Sequence, residues 1–167
     1  MNSVFFDPKI LDAYFSDFVR FLCRSCKRYD TKWTCPPRID TVSHYKEYLP
    51  SFEYGLLVYK KFEFDKSDLT NWQKFGQESS LEIQNELIEW RHRITAKERV
   101  LLLGAGSCKI CKKCSSVQCR FPDKAIVPVE GTGIDVMRLF KDLTGFDLKF
   151  PVETEGYYYR IGMILFT

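Results

Sequence analysis

Four cysteines fall within twelve residues at the spacing C-x2-C-x2-C-x4-C, from Cys108 to Cys119. Thiolates are soft ligands, which suit zinc and iron–sulfur clusters rather than magnesium or calcium. Short C-x2-C steps wrap the chain around a compact group and bring several sulfurs to it. The cysteine-rich segment 106–122 is therefore expected to be a long loop built around a metal.

The first three of these cysteines match the pattern of bacterial ferredoxins, C-x2-C-x2-C-x3-C-P, which binds a 4Fe–4S cluster. Cys119 comes one residue later than that pattern requires. Zinc sites more often use two separated C-x2-C pairs with a longer gap. We therefore predict an iron–sulfur cluster here, with zinc as the alternative. Buried cysteines without a ligand fit poorly beside the basic residues of this segment.

The segment 23–37 carries the other three cysteines, Cys23, Cys26 and Cys35. A C-x2-C pair also occurs as a redox dithiol of thioredoxin type, but that pair opens a helix. Here the pattern of apolar residues places the pair at the end of a helix. Cys35 is followed by proline, as in the ferredoxin run, so we predict a second cluster site.

Seven cysteines are one short of the eight that two cubane clusters need. The fourth cysteine of a ferredoxin run serves the other cluster in two-cluster ferredoxins, so Cys119 could join the upstream three. The missing ligand could be a protein group such as His44, water, a partner or a substrate. An iron with an open position would be a Lewis acid, which would make an enzyme possible.

Positive charge is concentrated around the cysteines, although the net charge is only +3. Residues 20–38 contain six basic side chains and one acidic one, and residues 108–124 contain five and one. These charges either offset the negative charge of thiolate-bound clusters or form a docking surface for an acidic redox partner. The chain shows no standard nucleic-acid module, so nucleic-acid binding is not expected.

The composition is that of a globular chain, with 45% hydrophobic and 16% aromatic residues. Residues 1–167 are expected to form a single domain. No apolar run reaches the roughly 18 residues of a membrane span, and no secretory signal is recognised. An odd number of cysteines excludes a fully paired disulfide framework. We therefore expect a cytoplasmic protein with reduced thiols.

Periodicity predicts helices over residues 8–22, about 40–49 and 133–144, and one that begins near a capping box at Ser79 or earlier, near Asp68. Strands are predicted over 54–59, extending to 64, over 100–106, and in a hairpin of 146–152 with 157–166. The strand, helix and strand between 54 and 104 indicate a parallel crossover. The expected fold is α/β (α+β): a mixed sheet of about four strands flanked by helices, with the cysteine loops at one edge.

Four motifs in order are shared with a known family: W-x-C-P-P at 33–37, G-S-C-x2-C-x2-C at 106–114, C-R-x-P at 119–122 and G-I-D-V at 133–136. The chain resembles a family of small bacterial and archaeal proteins, a domain of unknown function described as predicted metal-binding, over about residues 20–167. Its members are typical of anaerobes. The resemblance implies no established reaction, and it leaves Glu130 and residues 133–136 as family-type positions without a role. It implies these metal ligands: Cys23, Cys26, Cys35, Cys108, Cys111, Cys114 and Cys119.

Three functions follow from these patterns. The first is an iron–sulfur protein that transfers electrons to or from a partner enzyme through one or two 4Fe–4S clusters. The second is an enzyme that uses an under-ligated cluster iron on a small molecule. The third is a zinc-binding structural or interaction module.

Overall fold

The computed structural model of the protein describes residues 1–65, 67, 69–94, 99–149 and 156–167. It contains five strands: β1 (Asn2–Phe6), β2 (Tyr54–Glu63), β3 (Val100–Gly104), β4 (Val127–Pro128) and β5 (Tyr157–Phe166). The α-helices of the described residues are α1 (Asp17–Leu22), α2 (Val42–Tyr48), α3 (Trp72–Arg93) and α4 (Val136–Thr144). Short 3₁₀ turns connect them, at Pro8–Tyr14, Cys23–Ser25, Leu49–Ser51, Leu69–Asn71, Pro122–Lys124 and Glu130–Thr132.

The strands form one mixed sheet in the order β1-β2-β5-β3-β4. β5 is antiparallel to both of its neighbours, β2 and β3, while β4 is parallel to β3. β2 and β3 therefore run in the same direction, as a parallel crossover requires, but β5 lies between them. The predicted mixed sheet flanked by helices is confirmed, with one strand more than expected.

Alternate residues of the central strand point to opposite faces of the sheet, and each face has its own core. On one face, Ile161 and Met163 pack with α4, α2 and the first 3₁₀ turn. On the other, Tyr158 and Ile164 pack with Ile83 and Leu87 of α3. The sheet is thus the middle of three layers.

The helix predicted from residue 8 to residue 22 is divided in two. Asp7 caps the turn Pro8–Tyr14, and Ser16 caps α1 by accepting a hydrogen bond from the Val19 amide. Between them, Phe15 forms a bridge with Ile134. The prediction of a single helix was wrong. The backbone of residues 14–16 forms hydrogen bonds with residues 133–135, which replace the bonds of a continuous helix.

The capping box at Ser79 and the closing hairpin were wrong. α3 begins at Trp72, after the 3₁₀ turn Leu69–Asn71, which agrees with the alternative of an earlier start and places Ser79 inside the helix. There its hydroxyl donates to the Gly76 carbonyl and accepts from the Tyr158 hydroxyl. The predicted hairpin partner 146–152 is not a strand over its described part, 146–149, and Asp68 and the turn residues 153–155 lie outside the described residues. β5 instead pairs with β2 and β3. These two strands form the backbone hydrogen bonds with β5 that the second strand of a hairpin would have formed.

Two helix predictions are confirmed. The helix expected near 40–49 is α2, which Thr41 caps by accepting a hydrogen bond from the His44 amide. The helix expected at 133–144 is α4, and it ends at Gly145, whose φ of 77° lies in the left-handed region that favours glycine. No described helix is long and apolar enough to cross a membrane.

Candidate metal centre

The upstream cysteines follow α1 directly and are gathered by a series of tight turns. Cys23 caps the C-terminus of α1, with its amide bonded to the Arg20 and Phe21 carbonyls. The Cys26 amide bonds to the Cys23 carbonyl at 3.0 Å, and the Cys35 amide bonds to the Lys32 carbonyl at 3.1 Å. These turns fold the segment 23–37 back on itself, so that Cys35 returns to the first two cysteines.

The downstream cysteines follow β3, and a buried glutamine holds the start of their loop. Gln84 of α3 is 1% exposed. Its side-chain amide donates to the Ser107 carbonyl at 3.0 Å, and its side-chain oxygen accepts from the Lys109 amide at 2.6 Å. Cys108 lies between these two contacts and packs against the core beside α3. The sheet and α3 therefore fix where the loop begins.

The two cysteine segments contact one another. Lys32, only 7% exposed, donates from Nζ to the Cys111 carbonyl at 3.3 Å. The Trp33 indole N–H donates to the Ser115 carbonyl at 2.7 Å. The guanidinium of Arg38 stacks over the Trp33 ring at 4.8 Å and pairs with Asp30 at 2.9 Å. The two cysteine segments therefore pack together as one structural unit. The charge pattern of the sequence did not predict this contact.

The four downstream cysteines share a small cavity of about 20 Å³. Its wall is completed by Trp33, Thr34, Ile110 and Phe121, with the four cysteines Cys108, Cys111, Cys114 and Cys119. Cys119 thus lies with the other three of its run. The alternative in which Cys119 joins the upstream cysteines finds no support in this geometry.

The three upstream cysteines line a much larger cavity, of about 550 Å³. Its walls are mostly apolar and come from α1, α4, the end of β3 and the start of β5. The backbone amide of Arg28 donates to Cys26 Sγ at 3.4 Å, the kind of contact that stabilises a thiolate. A carboxylate, Glu130, also lines this cavity.

The acid groups of the larger cavity lie close enough to affect one another. Burial, together with the nearby Cys26 and Cys23, raises the pKa of the Cys35 thiol to about 11. Burial and the carboxylate of Glu130 raise the pKa of Cys23. Burial also raises the pKa of Glu130 itself. Metal binding requires deprotonated ligands, so a metal bound in this cavity would act against these raised pKa values and release protons from the thiols.

No three of the described His, Cys, Asp and Glu side chains are close enough to hold a single metal ion as they stand. The seven thiols therefore line two cavities rather than forming two preformed coordination shells. The donor set still fits a soft metal, because every candidate ligand of the smaller cavity is sulfur. The Thr34 hydroxyl on its wall is buried, and its nearness to the Cys35 thiol lowers the pKa of that thiol slightly.

The two cavities are back to back. Thr34 lines the smaller cavity and the next residue, Cys35, lines the larger one. In the same way, Ser107 lines the larger cavity and Cys108 the smaller. Because consecutive Cα atoms are about 3.8 Å apart, the two cavities share a wall of backbone at these two points.

The model of a protein family described as "Predicted metal-binding protein (DUF2284)" matches residues 9–166. The chain belongs to this family. All seven cysteines fall within the matched range. No curated protein and no solved structure matches the chain. The family description gives predicted metal binding as the general property of the chain.

His44, the candidate eighth ligand, lies on α2, away from both cavities. Its ring stacks on Tyr48 at 5.4 Å, and its Nε2 is 3.7 Å from the Asp40 carboxylate. Neither cavity includes it among the lining residues of the described chain. The placement gives no support to His44 as a metal ligand, because His44 lines neither cavity.

Three residues of this DUF2284 chain became visible as parts of the site only in the structure. The sequence assigned no function to Glu130, and no motif or spacing pointed to Gln84 or Thr34. The family-type G-I-D-V stretch acquires a structural role: Asp135 caps α4 by accepting from the Arg138 amide at 3.1 Å. Asp135 and Val136 also line the larger cavity.

Proposed function

We propose that this protein binds two iron–sulfur clusters and carries electrons between a partner protein and its larger cavity. The observation that carries the proposal is the division of the seven cysteines into four and three, in two cavities that share backbone walls. A cluster held by four cysteines accepts and releases single electrons. The chain's own residues would supply the ligands, the shielding and the charge.

Around the smaller cavity, the side chains suit a redox group. Trp33 and Phe121 line it with aromatic surface, which limits the access of water. Lys32 brings a buried positive charge beside Cys111. A positive charge and hydrogen bonds near the sulfurs raise the reduction potential of a cluster. These features support electron carriage more directly than a structural zinc ion, which needs no such tuning.

The partner would approach over a basic surface. The exposed basic residues of 20–38 and 108–124 are Arg24, Lys27, Arg28, Arg38, Lys112, Lys113, Arg120 and Lys124. Complementary charge steers association and fixes orientation, so an acidic redox protein is the partner that this surface would select. Binding should weaken as the salt concentration rises.

Metal and sulfide analysis of the anaerobically purified protein tests the proposal. We expect a brown protein with iron and acid-labile sulfide sufficient for two clusters. Cys111→Ser should remove the iron of the four-cysteine site, and Cys26→Ser should remove that of the three-cysteine site. The two variants are controls for each other, since each should keep the cluster that the other loses. A colourless protein with stoichiometric zinc and no sulfide would refute the proposal.

A second function, catalysis at the three-cysteine site, is favoured by the size of the larger cavity. Its volume of about 550 Å³ falls within the range of about 300–1,000 Å³ typical of small-molecule sites. Basic side chains on the apolar wall, Arg28, Lys149 and Arg160, would select a small molecule with one anionic group. EPR of the reduced protein tests this: small carboxylates should change the signal of the three-cysteine cluster. A signal unchanged by any such molecule would leave only electron carriage.

A further inference from the structure

The larger cavity presents three thiols where a cubane cluster has four irons. A cluster bound there by Cys23, Cys26 and Cys35 would have one iron that no cysteine reaches. The remaining cysteines are gathered in the other cavity. The identity of the group facing that iron decides whether the site is closed or open to small molecules.

The helix that precedes Cys23 also holds the turn that contains Glu130. Glu130 begins the 3₁₀ turn Glu130–Thr132, one residue after β4. The Arg20 guanidinium, on α1, donates to the Gly131 carbonyl and to the Asp40 carbonyl at 2.9 Å. Because Cys23 directly follows α1, this contact couples the position of Glu130 to that of the first thiol.

Among the described residues the Glu130 carboxylate forms no ion pair, and its one hydrogen bond from another residue is a long one, 3.4 Å, from the Gly106 amide. The Arg20 guanidinium is occupied by backbone carbonyls. That of Arg160 bonds to Ser79 and the Gly76 carbonyl, although it lies near enough to lower the pKa of Glu130. Glu130 is half-buried, so water compensates its charge only in part, and coordination of a metal would compensate the rest.

We propose that Glu130 is the fourth protein ligand of the three-cysteine site. Its carboxylate binds the iron that Cys23, Cys26 and Cys35 leave without a sulfur. A carboxylate is a harder ligand than a thiolate, so it exchanges at a soft site more readily than a cysteine does. Glu130 thus keeps the site closed until a small anionic molecule in the cavity takes its place. This inference rests on the proposed function, because it requires a cluster at the three cysteines.

Mössbauer spectroscopy of the ⁵⁷Fe-enriched wild-type protein tests the proposal without any substitution. We expect one iron of the three-cysteine cluster to differ from the others, as an oxygen-bound iron does from sulfur-bound ones. Glu130→Gln should change that component, and Glu130→Cys should remove it by completing a four-sulfur shell. The matched control is Asp135→Asn, the same acid-to-amide change in the same cavity. Asparagine caps a helix as well as aspartate does, so α4 should be preserved.

The outcomes separate this inference from the proposed function. If the wild-type protein contains both clusters but its spectrum is the same in Glu130→Gln and Glu130→Cys, Glu130 is not a ligand. An equal change of the Mössbauer spectrum in Asp135→Asn would also overturn the assignment. The loss of one negative charge in the cavity would then explain the change, without any bond between Glu130 and iron. If Cys26→Ser removes no iron from the protein, no cluster lies at this site, and both proposals fail together.

Discussion

Gln84→Met should destabilise the protein by removing the anchor of the downstream cysteine loop. Methionine has nearly the shape of glutamine, so the substitution removes two hydrogen bonds without leaving a cavity. The Ser107 carbonyl and the Lys109 amide would both lose their partner. Because Gln84 is 1% exposed, water has little access to replace it.

The size of the effect follows from the two groups left without partners. A buried polar group that loses its hydrogen bond costs about 1–3 kcal/mol. Lys109 is only half-buried, so its amide should regain part of that energy from water. The expected loss is therefore about 2–4 kcal/mol in the free energy of unfolding. For a chain of this length that corresponds to a fall of about 5–15 °C in Tm.

The fall in Tm is measured by thermal unfolding of the anaerobically purified protein, monitored by circular dichroism. The matched control is Gln77→Met, the same substitution on the exposed face of α3, which should change the free energy by no more than about 0.5 kcal/mol. The metal content of the Gln84 variant should also fall, because Cys108 lies between the two lost contacts. If the Tm of Gln84→Met equals that of Gln77→Met, the two hydrogen bonds do not anchor the loop.

Three other perturbations test the core, a buried phenol and the charge beside the smaller cavity. Gly162→Ala should destabilise by about 1–3 kcal/mol, because a Cβ at Gly162 would lie 2.7 Å from Leu87 Cδ1 of α3; an unchanged Tm would contradict the close packing of α3 on β5. The pKa of Tyr45 is raised to about 12 by burial and by Asp40, so the folded state favours the neutral phenol. The stability this gives is complete below about pH 10 and is lost as the pH rises towards 12. Tyr45→Phe should flatten that part of the stability profile, and an identical profile in the variant would show that another group titrates. Lys32→Met should shift the reduction potential of the four-cysteine cluster to more negative values, because it removes a buried positive charge. The exposed Lys113→Met is its control in a redox titration, and equal shifts in the two variants would refute a specific role of Lys32.

Local features of the fold followed from the sequence where local interactions decide them. α4 was predicted because its apolar stripe and its terminal Gly145 act within the segment. The division of the first helix was not predicted, because the bridge between Phe15 and Ile134 joins residues far apart in the chain. The same reason explains Ser79, whose hydroxyl bonds across to Tyr158 of β5. Periodicity describes one element at a time and does not include such contacts.

The sequence by itself determined which chemistry is available: seven thiols, three at the end of a helix and four after a buried strand, in basic surroundings. Cysteine type and spacing are local properties, so this part needed no fold. The tertiary structure alone decided how the cysteines are grouped. It placed Cys119 with its own run, put the Glu130 carboxylate beside the other three thiols, and set the two cavities wall to wall. Those relations depend on contacts such as that of Lys32 with Cys111, across 79 residues, which only packing of the whole chain creates.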